Sequence, residues 1–438
     1  MDAPPPPPDV PEAPRSPTAA DGPPPIPKQG MVRNIAWLSG GSILVKPLWI
    51  LFIVAACPRL LGVEAYGTMQ SALALAAMIL MVSDMGTSNL TLREVAAQPG
   101  EAVRYLSNIL VLRGVLAAVC ILGALLAAVL LDYDRLALLT VAAACAYLLA
   151  QYLIGFSRVF FRAAENLRYE AVSTVAERAL VIAVGSTFLV TTRSPAWTLG
   201  GMALGAGVVG LTQIVWISRH LARFDAGSVS VAFIRQAAWL AVPLGIADLL
   251  LGLYYRADQV MVEAMAGDAA AGQYGQAYRI LEALSLLPAI VVQGALFPRL
   301  TRLRAEGGLA EARRLAVRTG VFLTASGIGV SVLLWVAAPL LIRVLTGDAA
   351  FDPAASALRV LVWAFPLTCL KDLFFITSLS RQQYRTPVVI FGAAVALNVA
   401  MNLWAIPRYG IVGASVTTVI SEALTVLLFL IPRRSPAP

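Results

Sequence analysis

Apolar runs of roughly 18–25 residues follow one another along almost the whole chain, each broken by a short polar stretch marked by glycine, proline or arginine. An α-helix rises 1.5 Å per residue, so about 20 apolar residues reach across a hydrocarbon core of about 30 Å. The pattern predicts about twelve spans, at 33–57, 68–92, 106–131, 136–159, 173–192, 196–217, 237–262, 276–297, 319–345, 355–379, 387–406 and 411–431. The runs 155–162 and 231–236 fit amphipathic turns at the interface equally well.

The polar breaks themselves repeat. RLLGVEAYGTMQ (59–70) separates the first two spans, and AMAGDAAAGQYGQAY (264–278) separates the seventh and eighth, about 208 residues later. Gly62 is placed to end a helix and Gly67 to start the next; Gly267 and the pair Tyr274-Gly275 stand in the same roles. A second match, SPAWTLGGMALGAGVVG (194–210) against IPRYGIVGASVTTVISE (406–422), opens spans six and twelve, with Pro195 and Pro407 about 212 residues apart. Two matches at nearly one offset predict two six-helix lobes, 31–225 and 226–431. Six is even, so both lobes enter the membrane in the same sense and are related by an axis along its normal.

Composition bears this out and narrows the class. The 438 residues are 59% hydrophobic and 13% charged, with mean hydropathy +0.77. That leaves too little polar surface to cover a soluble globule, which carries about 25% charged residues. The net charge of +8 is not a nucleic-acid signal, because the basic residues sit in the breaks between spans. Lys28, Arg93, Arg162, Arg219, Arg302, Arg381, Arg433 and their neighbours put about twenty cations in one set of connections. The alternate set holds Arg59, Arg135, Arg193 and Arg408. Cation bias of this kind places both termini in the cytoplasm, as a multi-pass protein of the inner (plasma) membrane. The first thirty residues hold twelve of the 27 prolines and cannot bury a core; they read as a disordered cytoplasmic tail, with a second short tail at 432–438. The basic connection near 298–318 is expected to lie along the anionic inner leaflet.

No P-loop, metal-ligand cluster or nucleophile triad is present, and Cys57, Cys120, Cys145 and Cys369 have no CxxC spacing and read as buried thiols. The single histidine, His220, falls beside Arg219 at headgroup depth. A glycan polymerase or ligase would need a sizeable external loop for its catalytic groups, and every connection here is short. The expected role is a transporter, not an enzyme, with no bound cofactor.

Several stretches taken in order resemble a known family. Asn34, Gly41 and Lys46 precede RLLGVEAYG; SDMGTSNLTLREVA (83–96), YYRADQVMV with GQYGQAYRI (254–280) and PRYGIVGASVTT (407–418) follow. Together, over roughly 31–431, they resemble the polysaccharide-transporter, or oligosaccharide flippase, branch of the multidrug/oligosaccharidyl-lipid/polysaccharide exporter superfamily. The resemblance implies an all-α integral membrane fold, a MATE-like V-shaped bundle of two lobes. It also implies a flippase carrying a polyprenyl-pyrophosphate glycan from the inner to the outer leaflet for surface polysaccharide synthesis. Its partners would be lipid-linked oligosaccharide, membrane lipids and polysaccharide-assembly proteins, with no nucleic acid. A cation-coupled multidrug exporter of the same superfamily is the nearest alternative; such exporters tend to carry an acid in the first span, where this chain has Lys46.

Charge inside the membrane costs at least ~2.5–3.5 kcal/mol per residue on insertion scales, so each such residue needs a reason. Arg113, Arg178 and Lys371 are placed to snorkel to the cytoplasmic interface, and Arg279 with Glu282 to pair locally at i,i+3. Lys46 and Arg256 are the candidate phosphate ligands; Asn398 and Asn402, which share a helix face, are candidates for the substrate-binding wall of a cavity or for joining helices. Asp84, Asp248, Asp258 and Glu422 are candidates for neutralising those cations or for coupling to H+ or Na+. Tyr66 and Tyr274 are expected to face each other across the outer rim as a gate.

Overall fold

The computed structural model describes residues 45–431 except 290, 293–295, 382 and 384; the side chains at 243, 244, 247, 248, 251, 287, 289 and 385 also fall outside the described set. Both tails, Asn34, Gly41 and the Asp248 side chain therefore lie outside the described residues. The described chain is all-α. Helix α1 covers 45–61, with a π-helical turn at Phe52–Ala56. Then come α2 (Val63–Leu80), α3 (Thr87–Ala97), α4 (Ala102–Leu130), α5 (Arg135–Ala163), α6 (Leu167–Thr192) and α7 (Pro195–His220). The second half holds α8 (Val231–Ala266), α9 (Asp268–Ala289), α10 (Phe297–Ala305), α11 (Leu309–Thr346), α12 (Asp352–Leu361), α13 (Ala364–Ser380) and α14 (Arg385–Leu430).

Among the described residues seven helices are long and apolar enough to cross a membrane, or eight when α12 and α13 count as one bent span. Predicted spans two to six and nine to twelve fall on these helices, with the last two sharing one; the seventh and eighth fall on α8 and α9, and the described part of the first on α1. The tenth span is not straight: α12 and α13 meet at a 47° bend. Pro366 has no N–H to give to the carbonyl four residues back, at Val362, and its ring would crowd it. That carbonyl instead accepts from the Ser331 hydroxyl of α11 at 2.6 Å and from the Phe365 amide at 3.2 Å. The last two spans are the arms of α14, which turns at Gly410, where φ is +54°. The second span breaks at Met81–Ser83, and Asp84 closes the break by accepting from the Ser88 amide at 3.0 Å and the Thr87 hydroxyl at 3.1 Å. A carboxylate there satisfies the free amides at the start of α3.

Packing follows two groups of helices joined through α2, α8 and α9. Helix α5 packs on α7, α2, α3 and α4, and α7 packs on α6; α11 packs on α13 and α12, and α14 packs on α8, α13 and α12. Helix α2 crosses both α9 and α8. The repeated glycine breaks govern the α2–α9 crossing. Gly62 and Gly267 end their helices in the same backbone conformation, φ +79° and ψ 173° against φ +85° and ψ 174°. Five residues after each comes a second glycine, Gly67 and Gly272. A Cβ on Gly67 would overlap the Asp268 carbonyl and lie 2.7 Å from the Gly272 nitrogen. A Cβ on Gly272 would overlap the Val63 carbonyl and lie 3.2 Å from the Gly67 nitrogen.

These contacts are reciprocal at an offset of 205 residues, and a second pair obeys the same rule. Gln259 reaches Ser71 at 3.3 Å, and Gln276 reaches the Val54 carbonyl at 2.8 Å. The two halves thus meet across an approximate two-fold axis. The offset corrects the sequence alignment, in which Gly67 stood opposite Tyr274-Gly275. Contact between two backbones selects the glycine, so Gly272 is its counterpart.

Replacing Gly67 or Gly272 by alanine is expected to push the two helices apart at a cost of roughly 1–3 kcal/mol, typical of overpacking. Thermal unfolding of the purified protein checks this against G114A, a site where a Cβ meets nothing within 4 Å. Equal melting of all three variants would show that the crossing is not close-packed.

Candidate functional site

Two cavities adjoin in the interior and share Arg256, Arg279, Glu282 and Leu286 in their walls. The first, about 520 Å³, is bounded by α1, α5, α6, α8 and α9. It gathers four cations, Lys46, Arg178, Arg256 and Arg279, against the single carboxylate Glu282. Arg279 is anchored: it donates to Glu282 at 2.6 Å and, twice, to Gln70 Oε1 at 2.9 and 3.1 Å. Arg178 lies 4.5 Å from the Trp49 ring centroid, a cation–π contact that holds its plane at the cavity wall. Its nearest acid, Glu177, at 3.6 Å, is already bound by Arg158 at 2.6 Å and Gln151 at 3.0 Å. Among the described residues Lys46 and Arg256 have no ion-pair partner. A cavity so lined favours an anion with several oxygens, since unpaired cations in a low dielectric are costly unless neutralised.

The second cavity, about 490 Å³, has a different character. Tyr255, Tyr278, Phe375 and Phe391 supply aromatic faces, and Gln70, Gln259 and Thr418 supply hydrogen-bonding groups. Its acids are Asp372 and Glu422 together with the shared Glu282. Glu422 is engaged by Lys371, whose ammonium donates to it at 2.7 Å and to the Tyr255 hydroxyl at 3.2 Å, and lies 4.9 Å from both the Tyr254 and Tyr255 ring centroids. Lys371 has no exposure at all.

The structure thus brings Lys46 and Arg256 into one cavity and places the other expected residues elsewhere. Asn398 and Asn402 line neither cavity. They are buried, linked at 3.0 Å, and Asn398 reaches Ser421 at 3.3 Å, so they join the two arms of α14. Asp84 pairs with Arg113, which also donates to Thr87 and Ser88 and rests over Phe156. Asp258 accepts from the Tyr274 and Thr418 hydroxyls and lines neither cavity. Tyr66 and Tyr274 are both fully buried and have separate partners. Tyr66 donates to the Ile53 carbonyl and packs on Phe351, while Tyr274 packs on Tyr278. Neither stands at an open rim, which corrects the gate expectation; the glycines make the crossing instead.

Snorkelling is corrected for all three cations assigned to it. Arg113 and Lys371 are buried in ion pairs, and Arg178 lines the first cavity. Their spacing along the chain carries no sign of this, because the partners sit on other helices. His220 stacks on Trp216, with ring centroids 4.6 Å apart, and all four cysteines are buried and free.

Against known proteins, the chain matches the family described as Polysaccharide biosynthesis protein over residues 31–304, more than half its length. A second family, MatE, matches residues 243–404. A comparison with curated protein sequences finds no match. Among solved structures it is similar to lipid II flippase MurJ in an inward closed conformation, at 14% identity and TM-score 0.73, over 90% of this chain and 87% of that one. It is also similar to a multidrug resistance MATE family transporter of the MOP superfamily in its inward-facing conformation, at 15% identity and TM-score 0.68, over 90% and 97%. A MOP superfamily transporter from Pyrococcus furiosus, described by the reverse polarity of its binding pocket, aligns at 14% identity and TM-score 0.60, over 91% and 94%. At these identities the likeness establishes the fold, a MOP-type bundle of about twelve spans.

The buried pair gives a test of the interior. Lys371→Met strands the Glu422 carboxylate and is expected to destabilise by roughly 3–5 kcal/mol, whereas Lys371→Met with Glu422→Gln recovers most of the loss. Melting temperatures of the two variants decide it, and an equally low value for both would mean that the pair does not act as a unit.

Proposed function

The chain belongs to the polysaccharide biosynthesis protein family, and from that premise we propose that it is a flippase for a polyprenyl-pyrophosphate-linked oligosaccharide. The observation that carries the proposal is the gathering of Lys46, Arg178, Arg256 and Arg279 around one interior cavity with a single acid. Guanidinium and ammonium donors match the oxygens of a pyrophosphate, with charge-assisted hydrogen bonds roughly twice as strong as neutral ones. The adjoining cavity, with its aromatic faces, amides and hydroxyls, supplies flat apolar surface and hydrogen bonds for sugar rings. The prenyl tail stays in lipid.

In this state the α2–α9 crossing joins the two halves at the end of the bundle where the glycine breaks lie. Cation bias along the chain supports placing that end outside, with both termini in the cytoplasm. Passage to the outer leaflet then requires the crossing to part while the cavity's other side closes. Asp372 and Glu422 in the second cavity, and Asp258 behind it, are the acids through which H+ or Na+ would drive the exchange.

A cation exporter is the second reading, favoured by the MatE match and by the acids of the second cavity. Proteoliposomes separate the two. The wild-type protein is expected to move a prenyl-pyrophosphate oligosaccharide and not a cationic dye. Lys46→Gln with Arg256→Gln is expected to lower that transport at least tenfold with melting unchanged, because among the described residues neither side chain has an ion-pair partner. Full transport by the double variant, or dye export by the wild type, would overturn the flippase reading.

A further inference from the structure

A further groove, of about 1070 Å³, runs between α11, α13 and the end of α14. It shares no lining residue with either central cavity. Arg304, Arg313 and Arg381 stand at one end, all in segments that the cation bias puts on the cytoplasmic side. The remainder of the wall is largely apolar, with Val321 and Ile328 of α11 on one side and Phe374 and Phe429 on the other. Val321 is 65% exposed and Ile328 45%, so the groove opens toward the lipid.

Three features show that the basic end is incomplete as it stands. Among the described residues none of the three arginines has a carboxylate partner, whereas nearby Arg302 is paired with Glu306 at 3.1 Å. Among the described residues Arg304 Nε is buried without a hydrogen-bond acceptor, and Thr324 Oγ1, further along the groove, is buried and unpartnered as well. The Arg304 guanidinium is also held below its ordinary pKa, first by burial and then by the charge of Arg381 beside it. Like charges brought together over an apolar wall call for an anion between them.

The dimensions select its kind. From Arg313 to Ile328 is fifteen residues, a rise of about 22 Å, against about 15 Å for the hydrocarbon depth of one leaflet. A free phosphate would fill only the basic end and leave the apolar length empty. We infer that the groove binds one anionic diacyl phospholipid, its phosphate among Arg304, Arg313 and Arg381 and an acyl chain along the α11–α13 wall. The site is independent of the cargo in the central cavities. It would pin α11 to α13 and so tie the packing of the second half to the lipid composition of the membrane.

Native mass spectrometry of the full-length protein in detergent, titrated with phosphatidylglycerol or phosphatidylcholine, tests this. One phosphatidylglycerol per protein is expected to bind, well ahead of phosphatidylcholine. R304Q/R313Q/R381Q is expected to weaken it roughly 100-fold, since each arginine near a charged headgroup contributes about fivefold. R299Q/R314Q/R318Q removes the same charge from outside the groove and is expected to keep the adduct. A325W, at an exposed position on the groove wall, should block the lipid with every arginine in place, and it carries the test if the triple variant does not fold. Equal losses in the two triple variants would reveal only diffuse attraction and overturn the site. So would undiminished binding to A325W, equal binding of the two lipids, or displacement of the lipid by millimolar inorganic phosphate.

Discussion

Inside a hydrocarbon slab a charged side chain needs an opposite charge, a set of dipoles or water beside it, and a backbone carbonyl needs a donor. Much of the interior follows from that demand. Asp84 in the break before α3 takes Arg113 of α4, while Glu177 takes Arg158 and Glu422 takes Lys371, each of these two pairs joining two helices. Asp258, with no cation beside it, is surrounded by hydroxyl and amide donors. Even the bend between α12 and α13 obeys the rule, since the carbonyl freed by Pro366 is claimed by Ser331. Once these demands are met, the unpaired cations stand out. Lys46 and Arg256 come from different helices and open on the same cavity. Their lack of ion-pair partners among the described residues gives the cavity its sign.

The spans were legible in hydropathy because backbone hydrogen bonding in lipid leaves the chain little choice but helix. Proline and glycine then explain where observed helices depart from straight ones: Pro366 at the tenth span, Gly410 between the arms of α14. The charge network was not legible. Lys371 and Glu422 are 51 residues apart, Asp84 and Arg113 are 29 apart, and whether they meet depends on how each helix is rotated about its axis. Depth alone suggested that Arg113, Arg178 and Lys371 would reach for the interface. That reading supposed lipid beside them, where the fold puts another helix.

Half of the candidate site was readable for the same reason. Lys46 and Arg256 could be recognised as mid-span charges with no local partner. Arg279 had an acid nearby in sequence, Glu282, which made it look satisfied, and the depth of Arg178 suggested the interface instead. In the fold Glu177 is committed to Arg158 and Gln151, so Arg178 is left facing the cavity. For Asn398 and Asn402 the shared polar face left two roles open, a binding wall or a helix joint, and the fold uses it for the joint.

The relation between the halves explains how a near-symmetric frame builds two unlike cavities. The contacts that join the halves, Gly67 with Gly272 and Gln259–Ser71 with Gln276–Val54, obey the offset of 205 residues. The chemistry of the cavities does not. At that offset Arg256, Asp258, Arg279 and Glu282 correspond to Leu51, Ile53, Ala74 and Ala77. Charge was added to α8 and α9 where α1 and α2 carry apolar side chains, so the second half supplies ionic groups to both cavities while the first half adds Lys46 and Arg178 to one. A frame that kept its symmetry throughout would present two equal sites across the axis. By breaking it at these positions the protein obtains a compartment dominated by cations beside one in which aromatic rings, carboxylates and the two shared arginines meet.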